Sequence, residues 1–361
     1  MTRSRAPLDD ARRARIVFIT QQVDRSHPVL AATVPKIASL AERVDEVAVL
    51  ADGAVPGELP ENCRVRRFAA PFKLGRGLRF EAALAAELAR RPRAVIAHMC
   101  PIYAVLAAPL ARPLGARVLL WYTHWNATAT LRLAERLASD VVSVDRRSFP
   151  LETRKVIATG HGIDVSEFAC RDADERDGDF RALALGRYSA AKGLPTLLRG
   201  LRVALDRGLD TRLVVHGPAT SPEERAHRSE LERLVEELDL AARVRLGHAV
   251  VRSEIPDLFA RADVLVNNMR AGAPDKVVYE ACSSCLPVVV SNPVFDELLD
   301  DLTPPLRFER DDPDGFADRL FALAAVPRAE RAGIGRTLRD RVSARHSVQT
   351  WADRILDVAL R

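Results

Sequence analysis

Short apolar runs alternate with stretches of helical periodicity along nearly the whole chain. In the first half the runs are Arg15–Thr20, Glu46–Leu50, Arg64–Phe68, Ala94–Ala97, Arg117–Tyr122, Asp140–Val144 and Lys155–Ala158. Several are apolar without alternation, the pattern of strands covered on both faces. Between them lie helical stretches at Pro35–Arg43, Arg79–Arg90 and Thr128–Ala138. The second half repeats the scheme at Arg181–Leu185, Arg212–His216, Arg243–Leu246, Asp263–Val266 and Pro287–Ser291. Strand-helix alternation predicts α/β architecture with doubly wound parallel sheets, and two series predict two Rossmann-like domains. The charged, aperiodic segment Val165–Asp179 separates them, setting domains at 1–168 and 169–340. The tail beyond Ala317 is helical. Trp351, Ile355 and Val358 form one apolar stripe, so 341–361 reads as a helix packing back on the first domain. In open parallel sheets ligands lie beyond the carboxyl ends of the strands, so two such sheets predict a cleft between them.

At 361 residues the chain suits about two domains. With 48% hydrophobic and 29% charged residues, a disordered or fibrous chain is excluded. Five cysteines make no disulfide scaffold. Residues Ala94–Ala111 carry no charge, but Pro101 and Pro109 favour a strand, a turn and a buried helix over a span. Arg3, Arg5, Asp9, Asp10, Arg12, Arg13 and Arg15 leave no room for an apolar leader. The expectation is a soluble cytoplasmic protein.

Charge is unevenly placed. Residues 1–170 hold 25 basic and 17 acidic residues, a net +8; of the totals 54 and 49, the remainder holds 29 and 32, a net −3. A basic first half points to an anionic partner: a phosphate-bearing ligand, a membrane surface or nucleic acid. Arg64, Arg66, Arg67, Lys73, Arg76 and Arg79 interleave with Phe68, Phe72 and Phe80. That stretch reads either as solvated charge on a strand edge and helix start, or as peripheral contact with an anionic membrane at its inner face or with a phosphorylated acceptor. No nucleic-acid recognition motif accompanies it.

Two strand-to-helix loops carry chemistry. Gly186-Arg187-Tyr188-Ser189-Ala190-Ala191-Lys192-Gly193 follows a strand and precedes a helix. Arg offers a planar fork, Lys a point charge and the helix end its free N–H groups, which together suit a diphosphate. The alternative is a solvated turn. Gly272-Ala273-Pro274-Asp275-Lys276-Val277-Val278-Tyr279-Glu280-Ala281 follows the strand ending near Val266. Its helix is expected to start at Pro274 or Asp275, which puts Glu280 in the second turn among apolar neighbours, where a carboxylate accepts from a ribose diol. Asp275 at the helix start reads equally as a cap. His98 and His124 both follow strands at the ligand edge. Asp172/Asp174 and Asp177/Asp179 resemble metal strings, but a solvated acidic linker explains them. Cys282-x-x-Cys285 lacks a second pair and reads as helix packing.

With these motifs the chain resembles the family-4 retaining glycosyltransferases of the GT-B fold, bacterial group 1. Thr20–Asp24 with His27-Pro28-Val29-Leu30 is similar to a first-strand loop of one bacterial branch. Ala97–Tyr103 is similar to its fourth-strand loop, Trp121-Tyr122-Thr123-His124 to the fifth, and His161-Gly162-Ile163-Asp164 to the hinge motif. Gly186-Arg187 with Lys192-Gly193 resembles the diphosphate motif, and Asp275–Ala281 with Leu286–Val289 the donor helix.

The resemblance implies transfer of a hexose, with retention and without metal or other cofactor, from a UDP- or GDP-linked donor. The acceptor is a sugar, a lipid-linked molecule or a natural product. It implies that Arg187 and Lys192 hold the leaving diphosphate and that His124 lies near the sugar. Glu280 would bind ribose; Asp275, Lys276, Gly272, Ala273, Gly217 and His161 are further donor-side candidates. His98 and Gln21 are acceptor-side candidates. One departure stands out: the family's second Glu, eight residues before the last, is Gly272 here. The departure keeps open a non-catalytic nucleotide-sugar-binding protein, beside a GT-B epimerase or phosphorylase.

Overall fold

The computed structural model describes residues 13–27, 30–170 and 178–361. It forms two compact units: the described residues up to Asp164 with Arg345–Arg361, and Val165–Ala344.

Unit 1 holds β1 (Arg15–Val23), β2 (Glu46–Ala54), β3 (Cys63–Arg67), β4 (Ala94–His98), β5 (Arg117–Trp121), β6 (Asp140–Ser143) and β7 (Val156–Ala158). They form one sheet in the order β3-β2-β1-β4-β5-β6-β7. Every pairing is parallel. The order reverses between β1 and β4, the position at which such sheets open a crevice. Ile16–Ile19, Ala94–Ala97 and Val118–Leu120 are wholly buried, as runs covered on both faces must be. On one face Val17, Val95 and Val118 meet Phe80, Leu84, Ala104, Ala108 and Leu131 of the covering helices. The small side chains Ala104, Ala107, Ala108 and Ala111 let the Pro101–Ala111 helix lie close to β4 and β5, even with Pro109 inside it.

The other face is covered by the Thr33–Ala41 and Val348–Ala359 helices, which pack on each other. Trp351 and Ile355 are fully buried there, so the apolar stripe of the tail belongs to unit 1. The chain reaches that helix through a backbone link: Gly162 and Ile163 N–H both donate to His346 O, at 3.0 and 2.8 Å. The helix expected from Arg79 starts six residues earlier, at Lys73. Gly75 and Gly77 hid that first turn, because glycine is among the poorest helix formers.

Unit 2 holds β8 (Phe180–Leu185), β9 (Thr211–His216), β10 (Val244–Leu246), β11 (Val264–Asn267) and β12 (Val288–Val290), again all parallel, in the order β10-β9-β8-β11-β12. Its order reverses between β8 and β11. The two loops that carry chemistry leave the carboxyl ends of these two strands.

Cys285 corrects the sequence reading. It is joined to Cys170 by a disulfide across 115 residues, which ties the start of unit 2 to the end of the Lys276–Ser283 helix. Of the two cysteines in the Cys282-x-x-Cys285 string, Cys282, fully buried, is the one that serves packing alone. Asp179 pairs with Arg181 and Arg212. Residues 3–12, Pro28, Val29, Asp172, Asp174 and Asp177 lie outside the described residues. Among the described residues no helix is long and apolar enough to cross a membrane.

Candidate donor site and its companion histidines

The topological switch of unit 2 brings together residues far apart in sequence. Lys192 ends a short turn, Ala190–Lys192, ahead of the Leu194–Asp206 helix. Its ammonium lies over Gly186 and pairs with Asp275 Oδ2. Asn267 at the end of β11 donates Nδ2 to the same oxygen at 2.8 Å. Asn268 beside it donates to Gly193 O at 3.0 Å and to Asp311 Oδ1 at 3.2 Å, fastening the β11 loop to the Lys192 turn.

Asp275 is therefore not a cap. It occupies the N-cap position of the Lys276–Ser283 helix, yet its side chain accepts nothing from that helix. A carboxylate at a helix start normally finds a backbone N–H. Here Lys192, 83 residues away, offers a full charge instead. The helix starts at Lys276, one residue after the later of the two expected starts, Pro274 and Asp275.

Arg187 follows β8 and is 61% exposed, with Nη1 3.2 Å from Glu224 Oε1. Glu224 is buried. With Ser221 it closes a capping box on the Pro222–Glu237 helix, and it accepts from Thr220 N–H at 2.8 Å and Thr220 Oγ1 at 2.9 Å. Burial alone would raise its pKa; the bonds from Thr220 and Ser221 and the charge of Arg187 outweigh burial and hold it low. Both cations of the turn are thus each aligned by a carboxylate.

Glu280 is 2% exposed. Its Oε1 accepts from Arg252 Nη1 at 2.9 Å and lies 3.1 Å from Lys276 Nζ. Burial pushes its pKa up, but Lys276 and Arg252 outweigh burial and lower it. Both cations meet Oε1, which leaves Oε2 to accept from a ligand. Arg252 also donates Nε to Glu167 Oε2 at 3.0 Å. One guanidinium therefore spans the start of unit 2, the loop after β10 and the Lys276–Ser283 helix.

Gly217 sits where only glycine fits: a Cβ there would come within 1.8 Å of Gly186 O. It lines a cleft of about 530 Å³ with Arg225, Arg228 and His248. Gly272 has φ +114°, and open space surrounds its missing Cβ. Ala273 lies in the same loop, its carbonyl 3.4 Å from Asn292 Nδ2.

The remaining candidates lie in unit 1. His98 ends β4, is 5% exposed and stacks on Trp121 with ring centroids 4.7 Å apart. Neither ring nitrogen has a hydrogen-bond partner. Burial, aided by the charge of Lys36, depresses its pKa well below the ordinary value, so it is neutral at physiological pH. His161 is also buried, with its ring edge-on to Trp121. Lys36 Nζ lies 4.1 Å from the Trp121 ring centroid and 5.3 Å from that of Trp351. His124 is half-buried; its Nδ1 accepts from Asn126 N–H at 3.1 Å, and its ring stacks on Trp125. Gln21 is exposed on β1.

Arg252, Glu167, Glu224, Asn267 and Asn268 were missed in the sequence. Glu224 alone had a local signal, the Ser221-x-x-Glu224 capping pattern. Among the described residues no cluster of three His, Cys, Asp or Glu stands ready to hold a metal ion.

Residues 179–325 match the family of glycosyl transferases group 1. One relative, the GDP-mannose:cellobiosyl-diphosphopolyprenol alpha-mannosyltransferase of Xanthomonas oryzae pv. oryzae, is 25% identical over 206 residues, 57% of this chain. The match covers 53% of that protein, so the chain spans about half the relative's length. Anabaena HepE in complex with UDP and glucose superposes with a TM-score of 0.72 at 18% identity, covering 95% of this chain and 98% of that one. Sucrose-phosphate synthase of Thermosynechococcus elongatus gives 0.73 at 16% identity, covering 96% and 98%. The chain has the GT-B fold, and residues 179–325 of its second unit are similar to glycosyl transferases group 1.

Proposed function

We propose that the protein is a family-4 glycosyltransferase that moves a hexose, with retention, from a UDP- or GDP-linked donor to a hydroxyl acceptor. One observation carries this reading: Arg187 and Lys192 stand on one turn at the switch point of unit 2, each aligned by a carboxylate, Glu224 and Asp275. Breaking the bond from the sugar to the diphosphate builds negative charge on the leaving group. Cations fixed beforehand stabilise that charge without reorganising. In this reading they take the place of a divalent ion. Glu280 Oε2 accepts from the ribose, while Lys276 and Arg252 keep its carboxylate ionised.

The acceptor class follows the same logic from unit 1, whose switch point carries His98 beside β1. A neutral, unpartnered imidazole suits a hydroxyl-bearing acceptor. The Xanthomonas relative is described as acting on a diphosphopolyprenol-linked acceptor, and a lipid-linked acceptor is the first to try here.

The test begins with calorimetry of UDP, GDP and their hexose conjugates, followed by product analysis by NMR. Arg187→Ala and Lys192→Ala should each lower turnover by about 10²–10³ while the fold persists. Near-normal turnover in both variants contradicts the reading. Gly272 supports a second reading, a nucleotide-sugar-binding protein without transfer, because no side chain there reaches the sugar. Tight donor binding with neither transfer nor hydrolysis favours that reading instead.

A further inference from the structure

We infer that the outer face of the Lys73–Leu88 helix in unit 1 is a docking surface for an anionic lipid bilayer, an interaction beyond the transfer reaction and independent of it. The helix is apolar on two sides. Its inner side, Phe80, Leu84 and Leu88, is buried in the core. Its outer side opens with Phe72, Leu74 and Leu78, which are 64%, 73% and 64% exposed. Leu74 and Leu78 are four residues apart and so share a face. Phe72 precedes the first turn, with its ring against the backbone of Gly75. Solvated helices carry charge on the outer face, and this one carries leucine.

The surrounding charge says what covers it. Of the six cations in this stretch, Arg64, Arg66 and Arg76 are held by Glu46, Glu87 and Asp52. Arg67, Lys73 and Arg79 are exposed and have no carboxylate partner among the described residues. Arg79 reaches back to Ala69 O, which keeps its charge beside the loop that bears Phe72. Exposed apolar side chains next to unneutralised cations match a surface that is anionic outside and apolar beneath, as an acidic phospholipid bilayer is. A soluble acidic partner matches the cations but not the leucines. The patch follows β3 and lies at the carboxyl edge of the unit 1 sheet, the edge at which β4 ends in His98. A bilayer-borne acceptor would be presented at that edge.

Flotation of the full chain with vesicles of phosphatidylcholine, alone or with phosphatidylglycerol, tests this without any donor. Binding is expected to the mixed vesicles, weaker on neutral ones and falling with salt. Each cation is worth about fivefold near an anionic surface. Lys73→Gln with Arg79→Gln should therefore weaken binding roughly 25-fold, by the same measure. Leu74→Asn with Leu78→Asn should abolish it on both kinds of vesicle. Leu114→Asn, at another exposed apolar position of unit 1, should change nothing. Circular dichroism and melting show whether each variant is folded. Three outcomes overturn the proposal: no binding by the parent chain, equal binding to neutral and anionic vesicles, or unchanged binding by the leucine variant. Self-association removed by Leu74→Asn with Leu78→Asn, without vesicle binding, assigns the face to a second copy and also overturns it. Because no donor is involved, failure here leaves the transfer reading untouched, and failure of transfer leaves this one untouched.

Discussion

Asp275 has two calls on its side chain at the head of its helix, and the nearer one loses. The backbone N–H groups of its own helix are adjacent, but Lys192 offers a full charge in a half-buried setting where charge-assisted bonds are the stronger. The pairing restrains the lysine and also competes with any diphosphate for it. Asp275→Asn should leave the fold intact, since the side chain caps no N–H of its helix and Asn keeps its size and an oxygen that accepts from Asn267. It should tighten binding of a bare nucleoside diphosphate severalfold by calorimetry and lower turnover with the full donor. Weaker diphosphate binding would reverse this account.

Glu280 makes a pH prediction with a definite sign. Its folded-state pKa lies below the ordinary value, so the folded state favours the ionised form. The resulting stability is complete above the unfolded-state pKa of roughly 4.3 and is lost as pH falls through the lower folded-state value. The difference in unfolding free energy between the parent and Glu280→Gln should be constant above about pH 5 and shrink below it. Arg252→Met should be costlier, about 3–5 kcal/mol, because it removes one partner of a buried charge pair. Denaturant titration measures both, and Arg252→Lys should recover part of the loss.

Among the elements, the capping box of the Pro222–Glu237 helix does two jobs. Ser221 satisfies the Glu224 N–H at 3.2 Å, and Glu224 in turn holds Arg187. Ser221→Ala should cost about 1 kcal/mol of stability. It should also loosen Arg187, so the Michaelis constant for the donor should rise more than turnover falls. A stability loss with unchanged kinetics would separate the two jobs. The strands themselves were legible from the sequence. Every expected run became a strand, though β1 and β2 run on to nine residues each and β12 shrinks to three. The runs wholly buried on both faces, such as Ile16–Ile19 and Ala94–Ala97, were the plainest because such strands need apolar residues throughout. Helix starts were less legible, and the glycines of the Lys73–Leu88 helix are the reason.

At the scale of the molecule, unit 1 is built from both ends of the chain. The Val348–Ala359 helix covers one face of its sheet, and Trp351 is wholly buried beside Lys36. Trp351→Ala should destabilise unit 1 by about 3–5 kcal/mol. A nucleoside diphosphate at 100 times its dissociation constant should add about 2.7 kcal/mol to whatever unfolds with its site. If that site lies in unit 2, scanning calorimetry of Trp351→Ala should show a lowered transition that the nucleotide does not restore. A single transition that nucleotide raises by as much as in the parent would mean the two units unfold together.

Local patterning was enough to read the alternation of strands and helices, the two sheets, the Arg187–Lys192 turn, the helix bearing Glu280 and the apolar stripe of the tail. Each depends on neighbours within about a helical turn or a strand's length, where periodicity and backbone preference act. The partners could not be read this way. Lys192 meets Asp275 across 83 residues, Arg252 joins Glu167 to Glu280 across 85 and 28, and Cys170 reaches Cys285 across 115. Nothing in a sequence window separates an aspartate that caps from one that pairs with a distant lysine. The choice is made by which strands end side by side, and the order β10-β9-β8-β11-β12 brings the two loops to one edge. Residue types set the chemistry available to this chain; strand order selected which charges meet.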